Sequence, residues 1–276
     1  MRLCTFRDEA GTRLGEVLGD RVRPRDGRDV GDALGGALPS PAGPARPLAG
    51  LELLAPLRPG KVLGVGWNYP EHAAEMGGRT RDAPVVFSKL VTALTGPAAP
   101  VRRPSYTEEL DYEGELAVVI GRTARDVPRA RALEHVFGYA VMNDITARDR
   151  QRDEPQWVRA KGGDGFGPLG PWVTTRDEVP DPQALRIRTW VNGDLRQDAS
   201  TAGMAFPVAA LVEWCSAAVT LEPGDVIATG TPPGVGRART PPAFLVPGDV
   251  VRVEIDGLGA LENAIHEDNA GDVRAK

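Results

Sequence analysis

Cysteine, histidine, aromatic residues and long apolar runs are all scarce in this chain. Each shortage removes a class of explanation. The two cysteines, Cys4 and Cys215, lie far apart in 276 residues and show no metal-ligand spacing. With three histidines in all, no Cys/His cluster is available for zinc. No stretch reaches the roughly 20 apolar residues of a membrane-spanning helix, so no membrane partner is expected. The opening Met1-Arg2-Leu3-Cys4-Thr5-Phe6-Arg7-Asp8-Glu9 is charged within ten residues and has no apolar signal-peptide core. Two reduced thiols in the cytoplasm are therefore the expectation. An excess of basic charge is also missing. The 33 Lys and Arg are scattered among 38 Asp and Glu, leaving a net charge of −5 and no field for a nucleic-acid backbone.

What the chain does have is glycine (33), proline (25) and many short apolar alternations cut by turn residues. That reads as a mixed, β-rich α+β chain with short helices. The Gly/Pro-rich stretch 35–50 reads as a linker. It sets off a small N-terminal segment, 1–55, from a main domain over 56–276. Strands are expected at 3–6, 13–18, 61–66, 84–89, 113–120, 138–144, 226–228 and 250–255. A hairpin over 185–198 turns at Asn192-Gly193. Helices are expected at 71–76, 127–136 and 208–219, with Cys215 in the core of the last. Residues 266–276 read as a polar tail.

Five stretches could carry chemistry. In Glu113-Gly114-Glu115, strand geometry points both carboxylates to one face, where they repel unless protonated or bridged by a cation. Alone the pattern fits two solvated glutamates, but the apolar Leu116–Ile120 run shifts it towards a metal pair. Asp144, at the end of the next apolar strand, could add a third oxygen ligand for a hard ion such as magnesium, manganese or calcium. It could equally cap a helix, with Arg148–Asp149 as a surface pair. His72 and Glu75 stand i and i+3 on a helix, so a carboxylate can orient an imidazole that activates water; a surface helix is the plainer alternative. His135 and His266 have no such company. Lys161 sits in a glycine-rich stretch over 157–172 whose spacing rejects a phosphate loop; it could bind an oxyanion or simply be solvated. Thr231 lies in the small-residue loop 228–236, which could admit a ligand or be a tight turn.

Taken in order, these motifs resemble the fumarylacetoacetate hydrolase family. The matching residues run Val65-Gly66-x-Asn68-Tyr69-x-x-His72-x-x-Glu75, then Pro84-x-x-Phe87-x-Lys89, then Asp111-Tyr112-Glu113-x-Glu115-Leu116. They continue through Gly138-Tyr139-x-x-x-Asn143-Asp144-x-Thr146-x-Arg148-Asp149, Lys161, Gly170-Pro171-Trp172 and Asn192-Gly193. They end at Pro223-Gly224-Asp225 and Thr229-Gly230-Thr231-Pro232. The resemblance covers roughly 61–265 and implies a β-sandwich or roll core, a homodimer and a 2-oxo acid substrate. It implies Glu113, Glu115 and Asp144 as ligands for Mg2+ or Mn2+, with Ca2+ the further candidate. It implies His72, Glu75 and Lys161 as catalytic, and Gln151, Thr231 and Lys89 as substrate-binding. Arg148 and Asp149 are expected in support. Leu90 stands where many members have proline, and Trp67 where leucine or arginine is common.

The resemblance leads first to metal-dependent hydrolysis of a C–C bond in an acylpyruvate-type acid, with His72 as water base. The alternative is isomerisation or decarboxylation of a 2-hydroxymuconate-type acid in aromatic catabolism. A reading of another class is a non-catalytic binder of metal and oxo acid.

Overall fold

The computed structural model describes residues 1–79 and 81–268. A twelve-stranded mixed sheet runs in space through Arg46–Pro47, Arg21–Pro24, Gly11–Leu18, Arg2–Asp8, Gly167–Thr175, Val136–Asn143, Gly114–Ile120, Val226–Ala228, Val62–Gly66 and Val85–Lys89. Glu52–Leu54 and Leu94–Thr95 pair off this path. A second sheet of five strands runs Asp194–Ser200, Arg186–Val191, Val250–Ile255, Gly259–Glu267 and Val101–Arg103. Helices are short, the longest described being Val208–Ala218. The β-rich α+β expectation holds.

The two sheets share a core. Leu116, Val118, Ile120, Tyr139 and Val141 pack in one cluster with Ile187, Val251, Val253, Ile255 and Leu261 of the five-stranded sheet. The opposite face of the same strands, through Ala117, Val119, Ala140 and Met142, packs with Leu3, Leu14, Val30 and Leu57. Every residue from Gly114 to Ile120 is buried, which explains an almost unbroken apolar run where a half-exposed strand would alternate. Packing between the sheets accounts for Gly114. A Cβ at this position would lie 2.4 Å from Thr189 Oγ1 and 3.0 Å from Val253 Cγ1, so close approach of the second sheet excludes any side chain.

The structure departs from expectation at three places. Gly167–Thr175, expected as part of a glycine-rich loop, is a nine-residue strand between Arg2–Asp8 and Val136–Asn143. The helix expected over 127–136 is one turn, Arg129–Ala132, with a 3-10 turn to His135, because Val136 already begins the next strand. His266 and Glu267 close the strand Gly259–Glu267, and the rest of the expected tail, 269–276, lies outside the described residues.

Candidate metal centre and active site

Antiparallel pairing assembles the carboxylates. Gly114 faces Asn143 across the ladder, Asp144 N–H donates to Glu113 O at 2.8 Å, and Asn143 Oδ1 accepts from Glu113 N–H at 3.0 Å. Glu113, Glu115 and Asp144 are thereby buried together, with a carboxylate oxygen of each within 4.8 Å of the others. Burial, then the neighbouring Asp144 and Glu113 carboxylates, pushes Glu115 well above the usual carboxylate range. Burial would raise Glu113 too, but Lys161 and Arg148 outweigh it and hold that carboxyl down, at about 2.

Three buried cations face these acids. Lys161 Nζ lies 2.6 Å from Glu113 Oε2 and 2.7 Å from Asp144 Oδ2. Burial opposes its charge, yet Asp144 and Glu113 prevail and raise its pKa. Arg148 donates Nε to Asp111 at 2.8 Å, and Nη1 to Glu113 at 2.7 Å and Gln151 at 3.0 Å. Its buried Nη2 has no hydrogen-bond partner among the described residues. Lys89 pairs with Asp144 Oδ1 at 2.8 Å and donates to the carbonyls of Lys161 and Phe166. Burial, then the charge of Lys161, lowers its pKa against the pull of Asp144.

With every group ionised, Asp111, Glu113, Glu115 and Asp144 outnumber Lys89, Lys161 and Arg148 by one formal charge, and a bound cation is what would hold Glu115 in that ionised form. An all-oxygen, buried, net-negative cluster suits a divalent cation of the hard class, and the residues fit such an ion. No cysteine or histidine belongs to the set.

A cavity of about 360 Å3 opens over Glu113, Arg148 and Lys161. His72 enters it from the helix Pro70–Glu75, whose first residue is a proline suited to that place. The imidazole is buried, and its Nδ1 lies 2.8 Å from Glu75 Oε1, leaving Nε2 for the cavity. Glu75 is fixed in turn by Gly234 N–H, at 2.9 and 3.1 Å from its two oxygens. Gln151 lines the cavity with its carbonyl engaged by Arg148, so its NH2 group remains to donate. Thr231 also lines it, but its hydroxyl donates to Gly114 O at 2.9 Å and accepts from Gln197 Nε2 at 2.8 Å. Phe87, Trp67 and Trp157 form the apolar wall, with Trp157 edge-on to both other rings at centroid distances of 5.4 and 5.9 Å. Trp67 is held at φ 54, an uncommon backbone region for a bulky residue.

Five of the nine expected site residues, His72, Glu113, Gln151, Lys161 and Thr231, line the cavity; Glu115 and Asp144 stand beside Glu113, and Glu75 stands behind His72. Lys89, expected to bind substrate, does not line the cavity either: buried behind Asp144, it pairs with that acid and donates to the Lys161 carbonyl. Arg148, expected in support, lines the cavity, while Asp149 binds Thr107 at 2.7 Å away from the cluster. Sequence reasoning missed Gln197. This buried side chain accepts from Gly114 N–H at 3.0 Å and donates to Thr231 and Pro232, tying the Glu113 strand to the threonine loop. No local spacing betrays it, because it reaches in from the other sheet. Arg152 was also missed, although Arg148, Gln151 and Arg152 stand i, i+3 and i+4 on one helix, a readable signal.

The model of the fumarylacetoacetate (FAA) hydrolase C-terminal family matches residues 61–266. The mitochondrial oxaloacetate tautomerase fahd2 of Xenopus laevis is 46% identical over 218 residues, which are 78% of this chain and 68% of that protein. The crystal structure of 2-hydroxyhepta-2,4-diene-1,7-dioate isomerase from Mycobacterium marinum is similar with a TM-score of 0.84 at 39% identity, covering 98% of this chain and 99% of its own. That of 5-carboxymethyl-2-hydroxymuconate delta-isomerase from Mycobacterium smegmatis has a TM-score of 0.83 at 40% identity, covering 97% and 100%.

Proposed function

The chain belongs to the fumarylacetoacetate hydrolase family, and from that premise we propose that it is an isomerase of a 2-oxo acid or its 2-hydroxydienoate form, working with Mg2+ or Mn2+. The observation that carries this reading is the single oriented imidazole, His72, facing a cluster of anion-binding and acidic groups across one cavity. Isomerisation consumes no water. It needs one group that removes a proton and returns it elsewhere, and a surround that stabilises the charge between the two events. The two isomerases and the tautomerase among similar proteins favour this chemistry over C–C cleavage.

The substrate's carboxylate and 2-oxygen are the groups this site is suited to receive. Arg148 Nη2, buried and unpartnered, and the Gln151 NH2 offer donors to them. When bound among Glu113, Glu115 and Asp144, a divalent ion supplies Lewis-acid stabilisation of negative charge on substrate oxygens. From the 2-hydroxydienoate, His72 Nε2 takes the hydroxyl proton and delivers it to a carbon of the same conjugated system as the 2-oxo group forms; the reverse reaction moves the proton from that carbon back to oxygen. Glu75 keeps the ring turned, and Gly234 keeps Glu75 in place. Lys161 carries positive charge beside the developing oxyanion. The Trp67–Trp157–Phe87 wall limits water.

A second reading, hydrolysis of an acylpyruvate-type acid, draws on the same His72–Glu75 contact, since that pair could activate water. Turnover separates the two. With Mg2+ or Mn2+, a 5-carboxymethyl-2-hydroxymuconate-type dienoate should change its ultraviolet absorption with no cleavage product, and chelation should stop the change. Release of pyruvate from acetylpyruvate, with the dienoate untouched, would favour hydrolysis. His72→Ala should lower isomerisation roughly 100-fold or more while metal binding, read by calorimetry, persists. Unchanged turnover in that variant would take the imidazole out of the mechanism.

A further inference from the structure

Two arginines at the cavity mouth have no task in the reaction above. Arg152 and Arg237 both line the opening. Arg152 stands on the helix Arg148–Asp153, about 6 Å of helix rise outward from Arg148. Arg237 comes from a distant segment of the chain, in the 3-10 turn Gly236–Ala238. Its N–H donates at 3.1 Å to Asp111, the acid that also accepts Arg148 Nε. One buried carboxylate therefore ties the inner arginine to the backbone of the outer one.

Both outer guanidinium groups turn to one carboxylate. Arg152 Nη1 lies 2.9 Å and Arg237 Nη1 3.6 Å from Glu109 Oε2. Glu109 is anchored by its carbonyl, which accepts from Arg148 N–H at 2.8 Å. Arg152 Nε is taken by Asp153 at 3.0 Å. The Arg237 guanidinium makes no side-chain hydrogen bond among the described residues, so its donors stand ready beside an already carboxylate-shaped fork. Paired guanidinium groups favour planar anions over uncharged groups.

We propose that Arg152 and Arg237 form a second anion subsite that receives the remote carboxylate of a dicarboxylic substrate, with Glu109 holding the place until that carboxylate arrives. The inference rests on the 2-oxo-acid reading, which fixes the other end of the substrate at Arg148 and Gln151. In the exchange the guanidinium pair keeps a carboxylate partner while the Glu109 side chain turns to solvent. A substrate with an uncharged tail cannot make that exchange.

Calorimetry on the Mg2+-loaded protein tests this with three probes: oxalate, 2-oxoheptanedioate and 2-oxoheptanoate, which has the same length without the second carboxylate. The dioate should bind roughly 10-fold tighter than the monoacid, the scale of a charge-assisted contact reduced by partial exposure. Arg237→Gln alone should shrink that preference, and Arg152→Gln with Arg237→Gln should erase it, with 2-oxoheptanoate affinity unchanged in both. Glu109→Gln should widen it. Equal affinity for the two longer acids, a preference that survives the double variant, or oxalate binding without either longer acid overturns the subsite and spares the proposed function. Failure of all three probes to bind the wild-type protein overturns the proposed function and the subsite with it.

Discussion

Cys4 and Cys215 show how burial governs a side chain's chemistry here. Burial pushes the Cys4 thiol up to about 12 and the Cys215 thiol to about 11. The thiolate is the reactive species, so at pH 8 both groups are almost wholly protonated and shielded in the native chain. Iodoacetamide at pH 8 should leave the folded protein unlabelled over a period that labels both cysteines in urea, as read by intact mass. Native labelling at the unfolded rate would contradict their burial. The same physics limits what could be read at the site. Glu113 with Glu115, and His72 with Glu75, were legible because each pair is set by spacing within one element. The correct place of Lys89 was not, since it depends on the carbonyls of Lys161 and Phe166 meeting its ammonium from far along the chain. Asp111 is similar: its contacts with Arg148, Gly236 and Arg237 join three segments.

Among the elements, those with a strong local signal were legible. The Asn192-Gly193 turn joins Arg186–Val191 to Asp194–Ser200 as expected, and the helices Pro70–Glu75 and Val208–Ala218 stand where their patterns put them. Gly167–Thr175 was not, because Gly167, Pro168, Gly170 and Pro171 deny the alternation and propensity that mark a strand. Tertiary pairing on both sides overrides them, and the ladder to Val136–Asn143 is irregular between Tyr139 and Val141, opposite that stretch. The loop after Val226–Ala228 offers a sharper test. Gly234 has φ 108, its N–H holds Glu75, and a Cβ there would lie 2.1 Å from Arg196 O. Gly234→Ala should cost about 1–3 kcal/mol from the positive φ alone, measured by urea unfolding. Moving this N–H frees Glu75, so turnover should fall roughly 10- to 100-fold. A variant that loses stability and keeps full turnover would show that Glu75 is held by other means.

At the scale of the whole molecule, the first strands and the site-bearing strands belong to one sheet. Leu3, Leu14, Val30 and Ala33 pack in one cluster with Val62, Ala117, Ala140, Met142, Leu169 and Val173. A fragment comprising 56–276 would expose that apolar face and an edge of Gly167–Thr175. Expressed alone, it should be insoluble or lack a cooperative thermal transition by circular dichroism. A soluble, cooperatively folding fragment would establish 56–276 as an independent domain.

The pairing of Arg2 with Thr174 and Leu3 with Val173 also bears on how the chain is made. A ribosome adding about 5–20 residues per second takes roughly 10 to 30 s to travel between those partners. During that wait the opening strand can zip onto Gly11–Leu18, since those residues emerge at once. The part of its outer edge at Thr5, Phe6 and Arg7 can close onto Glu52–Leu54 soon afterwards, while the edge at Arg2 and Leu3 stays unpaired until translation reaches residues 173–174, which leaves the nascent chain open to association with its neighbours at that short edge.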